Sequence, residues 1–465
     1  MEKKELYGQK INFLNWGYLQ SIKSFLDLKY GISKENRTPL ATKELAVVPG
    51  LKVLQNGTAD TPLASDGVVV GTVRMGYGHH RMAYSLYSWS LAAGKETYLH
   101  DILAIESSES TAIREIDGLY SYWSRLSSEM GGPVEWFWGQ LTAQGNISSL
   151  LLSLLLAEEY VGLMDSIPRE LPYLSTYPIN GQIAVARGQK KVIHLVPDNY
   201  PQYYIIVPGA LNLVQSPASY MKFLEMGVPE SELMVAGHWI SRDIMVNLQA
   251  DTEARIKRID DRTPARIFLP IGGAGAQGKY VKAFIEQVKD KLIQQEFFLL
   301  LNVGDHQDVF EAMQECLREN SISYQTVRSR SELEAFVAKY PLDSSNPEMP
   351  VTLFFFTDYY DAFSASDILI RASDILMTKP SELAFFPVPK LFIRRVGDHE
   401  EASAFRSMEL GEGTIECREV EHAVEMARVL TESKDIILRM NDCILRNLQD
   451  GIYDGSKNAI ALLSD

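Results

Sequence analysis

Cysteine is scarce in this chain of 465 residues, which holds only Cys316, Cys417 and Cys443. The three thiols are far apart, so they form neither a C-x-x-C metal-binding pair nor a disulfide framework. A membrane-spanning run is also lacking, because the longest apolar stretch, Ile147 to Ala157, is far shorter than the ~20 residues that cross a bilayer. The first ten residues hold no apolar core of a signal peptide. We therefore expect a protein of the reducing cytoplasm.

Positive charge is in short supply as well. The formal net charge is −15, with 45 lysines and arginines against 60 acidic residues. Nucleic acid is therefore not expected as a partner, because phosphate binding needs a basic surface. Trp136, Phe137 and Trp138 precede the apolar stretch and would suit contact with a bilayer surface. No lysine or arginine lies between Arg125 and Arg169, so a buried helix is favoured there over peripheral membrane contact.

Two glycine-rich turns are the most informative features that are present. In each, an apolar strand-like run is followed by glycines and then by a helical pattern. The first turn contains Gly76 and Gly78, followed by His79 and His80. The second turn extends from Gly272 to Gly278 and includes Gly273 and Gly275. A helix that begins after such a turn presents free backbone N–H groups and its positive dipole end, which suit a phosphate. Since each turn begins its own half of the chain, we predict two Rossmann-like domains that face each other across a cleft.

The remaining sequence supports this prediction. Strand-like and helical segments alternate from Gly67 onward, which favours an α/β fold with parallel sheets and helices on both faces. A length of 465 residues is also more than one core usually holds. The predicted segments are an N-terminal helical extension (1–66), a first Rossmann-like domain (67–246), a charged linker with a helix (247–264), a second Rossmann-like domain (265–420) and C-terminal helices (421–465).

Four segments carry a resemblance to a known family. They are GYGHHRMA, YLSTYP with KVIHLVPD, LVQSPASYMKFLEMGVPESELMVAGHWI, and TKPSELAFFPVPKLFIRRVGDHEEASAFRSMELGEG. Together they resemble glycosyltransferases of the GT-B type, in the branch of monogalactosyldiacylglycerol synthase and the peptidoglycan lipid-intermediate N-acetylglucosaminyltransferase. The chain departs from that branch at Tyr77, where the family prefers glycine, and in a shortened donor segment from Lys379 to Glu382. The resemblance implies a GT-B fold, with an acceptor domain followed by a nucleotide-sugar domain.

The resemblance also implies a function. It is inverting, metal-independent transfer of a hexose from a nucleotide diphosphate sugar, expected to be uridine-linked, to an unknown acceptor such as a glycan, a lipid or a small molecule. His79 matches the motif histidine and is expected to deprotonate the acceptor, with Asp198 as the alternative base. Gly76, Gly78 and His80 are expected in the acceptor-side loop. No metal or other cofactor is expected, because no DxD-like pair ends a strand. The expected donor-binding residues are Gly273, Gly275, Lys379, Ser381, Glu382, Glu400 and Glu401.

Several of these residues have a second interpretation. His79 and Glu382 would also suit the first turn of a helix, Asp198 would suit a turn, and the pair Glu400–Glu401 would suit an acidic surface loop. The second glycine turn also matches G-x-G-x-x-G, and Asp305 ends the next strand, which is the pattern of a dinucleotide site. The alternative functions are a nucleotide-sugar 2-epimerase on the same fold and a non-catalytic protein that binds a nucleotide sugar.

Overall fold

The computed structural model describes residues 5–10, 13–45, 48–58, 62–115, 147–271, 277–395, 397 and 400–464. The chain divides into two compact units. The first unit comprises Met1–Met75, Leu86–Gly237 and Gly455–Asp465, and the second comprises Gly76–Ser85 and His238–Asp454. Residues 136–138, which the sequence offers for membrane contact, lie outside the described residues.

An eight-stranded sheet forms the centre of the first unit. A short hairpin of β1 (Glu5–Leu6) and β2 (Gln9–Lys10) precedes it. The sheet strands are β3 (Leu40–Glu44), β4 (Leu51–Asn56), β5 (Val68–Thr72), β6 (Thr97–Asp101), β7 (Tyr173–Ser175), β8 (Val192–Leu195), β9 (Leu211–Val214) and β10 (Leu233–Val235). Their order is β10-β9-β8-β7-β5-β6-β4-β3, and only the β3–β4 pair is antiparallel within this sheet. Both faces of β5 are covered, since Val68, Val69 and Val70 are each 0% exposed, as is typical of interior parallel strands.

A six-stranded parallel sheet forms the centre of the second unit. Its strands are β11 (Ala265–Pro270), β12 (Phe297–Asn302), β13 (Tyr324–Val327), β14 (Val351–Phe354), β15 (Ile375–Thr378) and β16 (Lys390–Phe392), in the order β13-β14-β12-β11-β15-β16. Successive side chains of β11 enter different cores, because strand residues alternate between faces. Ile267 and Leu269 pack into one hydrophobic cluster, and Phe268 packs into another. The sheet is therefore covered by apolar layers on both sides.

Helices connect these strands in both units. In chain order they are α1 (Phe13–Tyr30), α2 (Gly78–Ala92), α3 (Ser148–Glu159), α4 (Pro178–Arg187), α5 (Pro217–Glu225), α6 (Arg242–Asp260), α7 (Gly278–Ile293), α8 (Gln307–Glu319), α9 (Arg330–Lys339), α10 (Tyr359–Arg371), α11 (Glu400–Glu409), α12 (Val420–Glu432), α13 (Lys434–Gln449) and α14 (Gly455–Ala461). Parallel strands joined by helices are the defining feature of Rossmann-like folds. The prediction of an α/β protein with two Rossmann-like domains is confirmed.

The element boundaries differ from the predicted segments in two places. Residues 40–56, which we assigned to an N-terminal extension, form β3 and β4 of the first sheet. β3 could not be predicted from an apolar pattern, because it is an edge strand whose residues after Leu40 are mostly exposed. The segment Gly76–Ser85, predicted inside the first domain, is part of the second compact unit.

The predicted linker (247–264) is largely helix, because α6 extends to Asp260. Its charged residues are not all solvated. The Nε of Arg255 donates to the Ser373 carbonyl oxygen at 2.9 Å, and the Nε of Arg258 donates to the Asp374 carboxylate at 3.0 Å. Arg255 and Arg258 are 1% and 5% exposed. These arginines fasten α6 to the start of β15, so the helix belongs to the body of the second unit.

Candidate functional site

The strand order of the second sheet defines a switch point. From β11 the chain first adds β12 on one side and later adds β15 on the other side. In open α/β sheets, ligands bind beyond the carboxyl ends of two such strands, because the connections leave them in opposite directions and open a crevice. β11 ends at Pro270 and β15 ends at Thr378. The two predicted donor segments therefore follow the two strands that flank the switch point.

Lys379 and Glu400 form an ion pair beside this switch point. Lys379 directly follows β15, and Glu400 is the first residue of α11, where the helix dipole favours a carboxylate. The two side chains are 23% and 6% exposed. The buried carboxylate therefore holds a partly exposed ammonium group at the end of the strand, and such a group suits a diphosphate.

The other donor-site residues have different surroundings. Glu401 is directed to solvent, with a side chain that is 67% exposed and an ion pair to Arg395 at 3.1 Å. Ser381 is half-buried, and its backbone N–H donates to the Lys379 carbonyl oxygen at 2.8 Å, which closes a tight turn. The structure thus brings Lys379, Ser381 and Glu400 to one edge of the sheet, while Glu401 belongs to the surface.

Three predicted donor-site positions have no described side-chain surroundings. Gly273 and Gly275 lie outside the described residues. Glu382 begins a 3-10 turn, Glu382–Phe385, and its side chain also lies outside the described part of the structure. Their roles at the diphosphate and the ribose stay predictions.

The first glycine turn is fixed to the carboxyl edge of the second sheet. Tyr77 donates its phenol hydrogen to the Asp305 carboxylate, and the Asp305 backbone N–H donates to the Tyr77 hydroxyl oxygen at 3.0 Å. Tyr359, at the start of α10, donates to the Gly76 carbonyl oxygen at 2.8 Å. Burial and the Asp305 contact raise the pKa of Tyr77 above its usual range, so the phenol remains a donor.

This attachment explains two neighbouring residues. Gly304 has a φ of +64°, and a side-chain carbon there would collide with the Tyr77 hydroxyl, so the position requires glycine. Asp305 is the acidic residue that a dinucleotide site would use for a ribose. Its carboxylate is already bonded to Tyr77, which weighs against the dinucleotide interpretation.

The two adjacent histidines have different environments. His80 is 1% exposed, and its ring packs edge-on against Tyr359, with centroids 5.1 Å apart. His79 is half-buried and lies in the first turn of α2, next to Gly78. His80 is therefore a packing residue, whereas His79 keeps part of its surface accessible. His79 belongs to the same compact unit as Lys379 and Glu400.

Asp198, the alternative base, belongs to the first unit. It follows β8, and one carboxylate oxygen accepts from the Tyr200 backbone N–H at 3.0 Å. This bond two residues ahead is the Asx turn that the structural interpretation of Asp198 predicts. In the first sheet the switch point lies between β5 and β7, so Asp198 does not follow either flanking strand.

Sequence reasoning missed the residues that hold the first glycine turn. Arg81 donates from its guanidinium to the Ser366 hydroxyl at 2.9 Å and lies over the Tyr77 ring, 5.3 Å from its centroid. Tyr359 and Asp305 complete the attachment. The one available signal was Tyr77 itself, because a tyrosine in place of glycine needs both space and a hydrogen-bond partner.

Two families of unknown function match the sequence. The family described as domain of unknown function DUF6937 matches residues 6–225. The family described as domain of unknown function DUF6938 matches residues 228–464, which is more than half of the chain. The chain belongs to the DUF6938 family. The match to DUF6938 covers all of the second unit except the Gly76–Ser85 segment. No curated protein matches the chain.

This DUF6938 protein is similar to several solved structures at low identity. A structure of MnaA from S. aureus with UDP has a TM-score of 0.49 and 12% identity, covering 85% of this chain and 94% of the other. The UDP-GlcNAc 2-epimerase from Neisseria meningitidis, bound to UDP-GlcNAc, has a TM-score of 0.48 and 11% identity, covering 86% and 99%. The glycosyltransferase SnogD from Streptomyces nogalater has a TM-score of 0.44 and 13% identity, covering 86% and 100%. The specific branch named from the sequence motifs stays a prediction.

The described residues contain neither a metal-binding cluster nor a membrane-spanning helix. Among the residues that the structure describes, no group of three or more histidine, cysteine or acidic side chains is arranged to hold a metal ion. No helix within the described ranges is long and apolar enough to cross a bilayer.

Proposed function

We propose that this protein is an inverting glycosyltransferase that uses a nucleotide diphosphate sugar, with UDP as the nucleotide. The observation that supports the proposal is that the first glycine turn and the donor segment after β15 lie in one compact unit. The turn that contains His79 is bonded to Asp305 in the loop after β12, and Lys379 follows β15 at the same edge of the sheet. His79, the candidate base, and Lys379, the candidate residue for binding the diphosphate, thus lie at one edge of the sheet, beside a switch point.

The donor is held by groups of the second unit. Lys379, oriented by Glu400, contacts the diphosphate, and the backbone N–H groups of the second glycine turn add further donors at the start of α7. Glu382 accepts hydrogen bonds from the ribose hydroxyls. As the sugar–phosphate bond breaks, negative charge builds on the leaving diphosphate, and the Lys379 ammonium group stabilises it without a metal ion.

The acceptor is activated by His79. The acceptor hydroxyl oxygen forms a bond to the anomeric carbon while the bond from that carbon to the diphosphate oxygen breaks. The acceptor proton passes to His79, and UDP leaves from the opposite face, so the configuration is inverted.

Proton NMR of the full chain with UDP-glucose, UDP-galactose and UDP-GlcNAc tests the proposal without knowledge of the acceptor. In the absence of another acceptor, slow transfer to water is expected. Inverting transfer would release UDP and, initially, the β-anomer of the sugar. An excess of EDTA would leave the rate of this release unchanged.

The same spectra separate the alternatives. Deuterium incorporation at C2 from heavy water, with formation of the 2-epimer, would identify an epimerase. Binding of a UDP-sugar with no change in its spectrum over days would identify a non-catalytic protein, and release of the α-anomer would contradict inversion.

A further inference from the structure

A cavity of about 300 Å³ lies in the second unit, and neither Lys379, Glu400 nor His79 lines it. It is bounded by α6, α9, α10, residues 341–343 and Tyr84 of α2. We call it the helix cavity. Asp367 and Arg371, in the last two turns of α10, line it. Tyr359, which bonds to the first glycine turn, is at the opposite end of the same helix. The helix cavity therefore lies toward the amino edge of the sheet, at the end of α10 opposite to the first glycine turn.

The lining of the helix cavity has an excess of negative charge. It contains four aspartates and two arginines, namely Asp243, Asp251, Asp343, Asp367, Arg330 and Arg371. Both arginines are engaged, because Arg371 pairs with Asp251 at 2.9 Å and Arg330 pairs with Glu334 at 2.9 Å. The remaining three aspartates form no ion pair within the described part of the chain. The cavity therefore favours a cation.

Asp367 is the buried member of this set. Its residue exposure is 7%, and a carboxylate is costly to bury without a partner. Burial raises the pKa of Asp367 to about 6, despite the nearby Ser241 hydroxyl and the guanidinium groups of Arg81 and Arg330. Near neutral pH the carboxylate is therefore ionised, and a ligand that carries positive charge would relieve the cost of its burial.

Ser241 is a second polar group directed into the helix cavity. It occupies the N-cap position of α6 with a φ of −67° and a ψ of 152°, yet its side chain accepts no capping hydrogen bond. Serine at this position normally bonds to the N–H two or three residues ahead. Here the hydroxyl, in a residue that is 1% exposed, lines the cavity and has no hydrogen bond of standard geometry among the described residues. Its oxygen is thus available to a ligand.

The rest of the helix-cavity lining is largely apolar. It includes Val337, Leu342 and Ile368, together with Ala250, Ala254 and Ala372. No described group of acidic or histidine side chains is arranged for a metal ion, here or elsewhere. A ligand that matches this lining combines ammonium groups with a chain of methylene groups, since the aliphatic part packs on the apolar side chains.

We propose that the helix cavity binds a small aliphatic diamine or polyamine. One ammonium group contacts the Asp367 carboxylate and the Ser241 hydroxyl. A second contacts Asp243 or Asp343 at the exposed rim. The site is independent of the proposed transfer reaction, so it can be tested whether or not that reaction is found.

Calorimetric titration of the full chain with spermidine and 1,4-diaminobutane, in 0.15 M salt to screen surface charges, tests this proposal. We expect one site per chain, no binding of the neutral match 1,4-butanediol, and about 10- to 100-fold weaker amine binding by Asp367→Asn, because a charge-assisted hydrogen bond is lost. Asp290→Asn, on the exposed side of α7, makes the same charge change elsewhere and is expected to bind like the unmodified chain.

A second variant, Ser241→Ala, tests the site if Asp367→Asn does not fold. Ser241→Ala is expected to keep its melting temperature, because the hydroxyl does not cap α6, and to bind about three- to tenfold more weakly. The proposal is overturned if neither amine binds, if 1,4-butanediol binds equally well, or if Asp290→Asn weakens binding as much as Asp367→Asn. It is also overturned if magnesium chloride alone binds with the same dependence on Asp367, which would indicate a metal site.

Discussion

At the scale of single residues, His79 and His80 show how burial separates two identical side chains. His80 is 1% exposed and surrounded by the rings of Tyr359, Tyr360 and Phe363. His79, one residue earlier, is half-buried. A general base must reach the proton that it removes, so the accessible histidine is the one that suits the chemistry.

We expect His79→Ala to fold and to bind donor like the unmodified chain, and to lose turnover by a factor of ~10²–10⁴, the usual contribution of one general base. The rate of UDP release from the UDP-sugar that binds measures this loss. His422→Ala, a half-buried histidine on α12, is the matched control and should be unchanged. Near-normal turnover of His79→Ala, with a large loss in Asp198→Asn, would transfer the role of base to Asp198.

At the scale of secondary-structure elements, the start of α2 determines which unit the first glycine turn belongs to. The motif that the sequence assigns to the first domain is bonded to the loop after β12 and to α10 of the second unit. Tyr77 makes this possible, because its phenol spans the space above Gly304 and reaches both Asp305 and its backbone N–H. A glycine, which the related motif has at this position, would make none of these contacts.

We expect Tyr77→Phe to loosen the 76–85 segment locally, because the buried phenol loses its hydrogen bond to a charged carboxylate, a bond worth about 1.5–3 kcal/mol. Hydrogen exchange followed by mass spectrometry should show amides of residues 76–85 exchanging at least about tenfold faster. Tyr18→Phe, where the tyrosine is 67% exposed, is the control for loss of a hydroxyl. Unchanged exchange in Tyr77→Phe would mean that packing of the ring, not the Asp305 bond, fixes the segment.

At the scale of the whole molecule, the sequence predicted the architecture better than the details of the site. Two parallel sheets followed from the alternating pattern, because the strands around Val69 and Leu299 are continuous apolar runs flanked by glycine turns and helices. Edge strand β3 was missed, since its exposed residues lack that pattern. The arginines of α6 were interpreted as linker charge, and only the structure shows that Arg255 and Arg258 are buried against Ser373 and Asp374.

The candidate site was predictable only in part, because contacts between residues distant in sequence cannot be inferred from a motif. A motif gives residue types and spacing along the chain, so Lys379 and His79 could be selected. It does not give partners that are distant in sequence, such as Asp305 for Tyr77 or Glu400 for Lys379. The same limit applies to the helix cavity, whose lining comes from five separate segments.

Buried histidines in both units are expected to make the molecule sensitive to acid. Burial lowers the pKa of His100 to about 4 and that of His238 to about 3. Below the ordinary pKa of about 6.5 the unfolded chain binds protons that the folded chain does not, so stability present above pH 6.5 is lost as the pH falls. Each histidine should account for about 1.5 kcal/mol between pH 6.5 and pH 5. Asp367, whose pKa is raised to about 6, acts in the opposite direction and offsets part of this loss.

Thermal unfolding at pH 6.5 and pH 5 measures this sensitivity. The melting temperature should fall at the lower pH, and the fall should be smaller in His238→Gln, which removes one of the two buried imidazoles. His422→Gln, at a half-buried position, should behave like the unmodified chain. An equal fall in all three proteins would show that groups other than His238 bind the protons.

We expect a nucleotide diphosphate sugar to bind at the carboxyl edge of the second sheet, next to Lys379. The most direct measurement is calorimetric titration of UDP and of UDP-glucose, UDP-galactose and UDP-GlcNAc into the full chain, Lys379→Ala and the control Lys289→Ala, an exposed lysine of α7. We expect UDP and at least one UDP-sugar to bind the unmodified chain. Their affinity should be about 10- to 100-fold weaker in Lys379→Ala and unchanged in Lys289→Ala. Absence of binding to the unmodified chain, or equal affinities in all three proteins, would contradict this expectation.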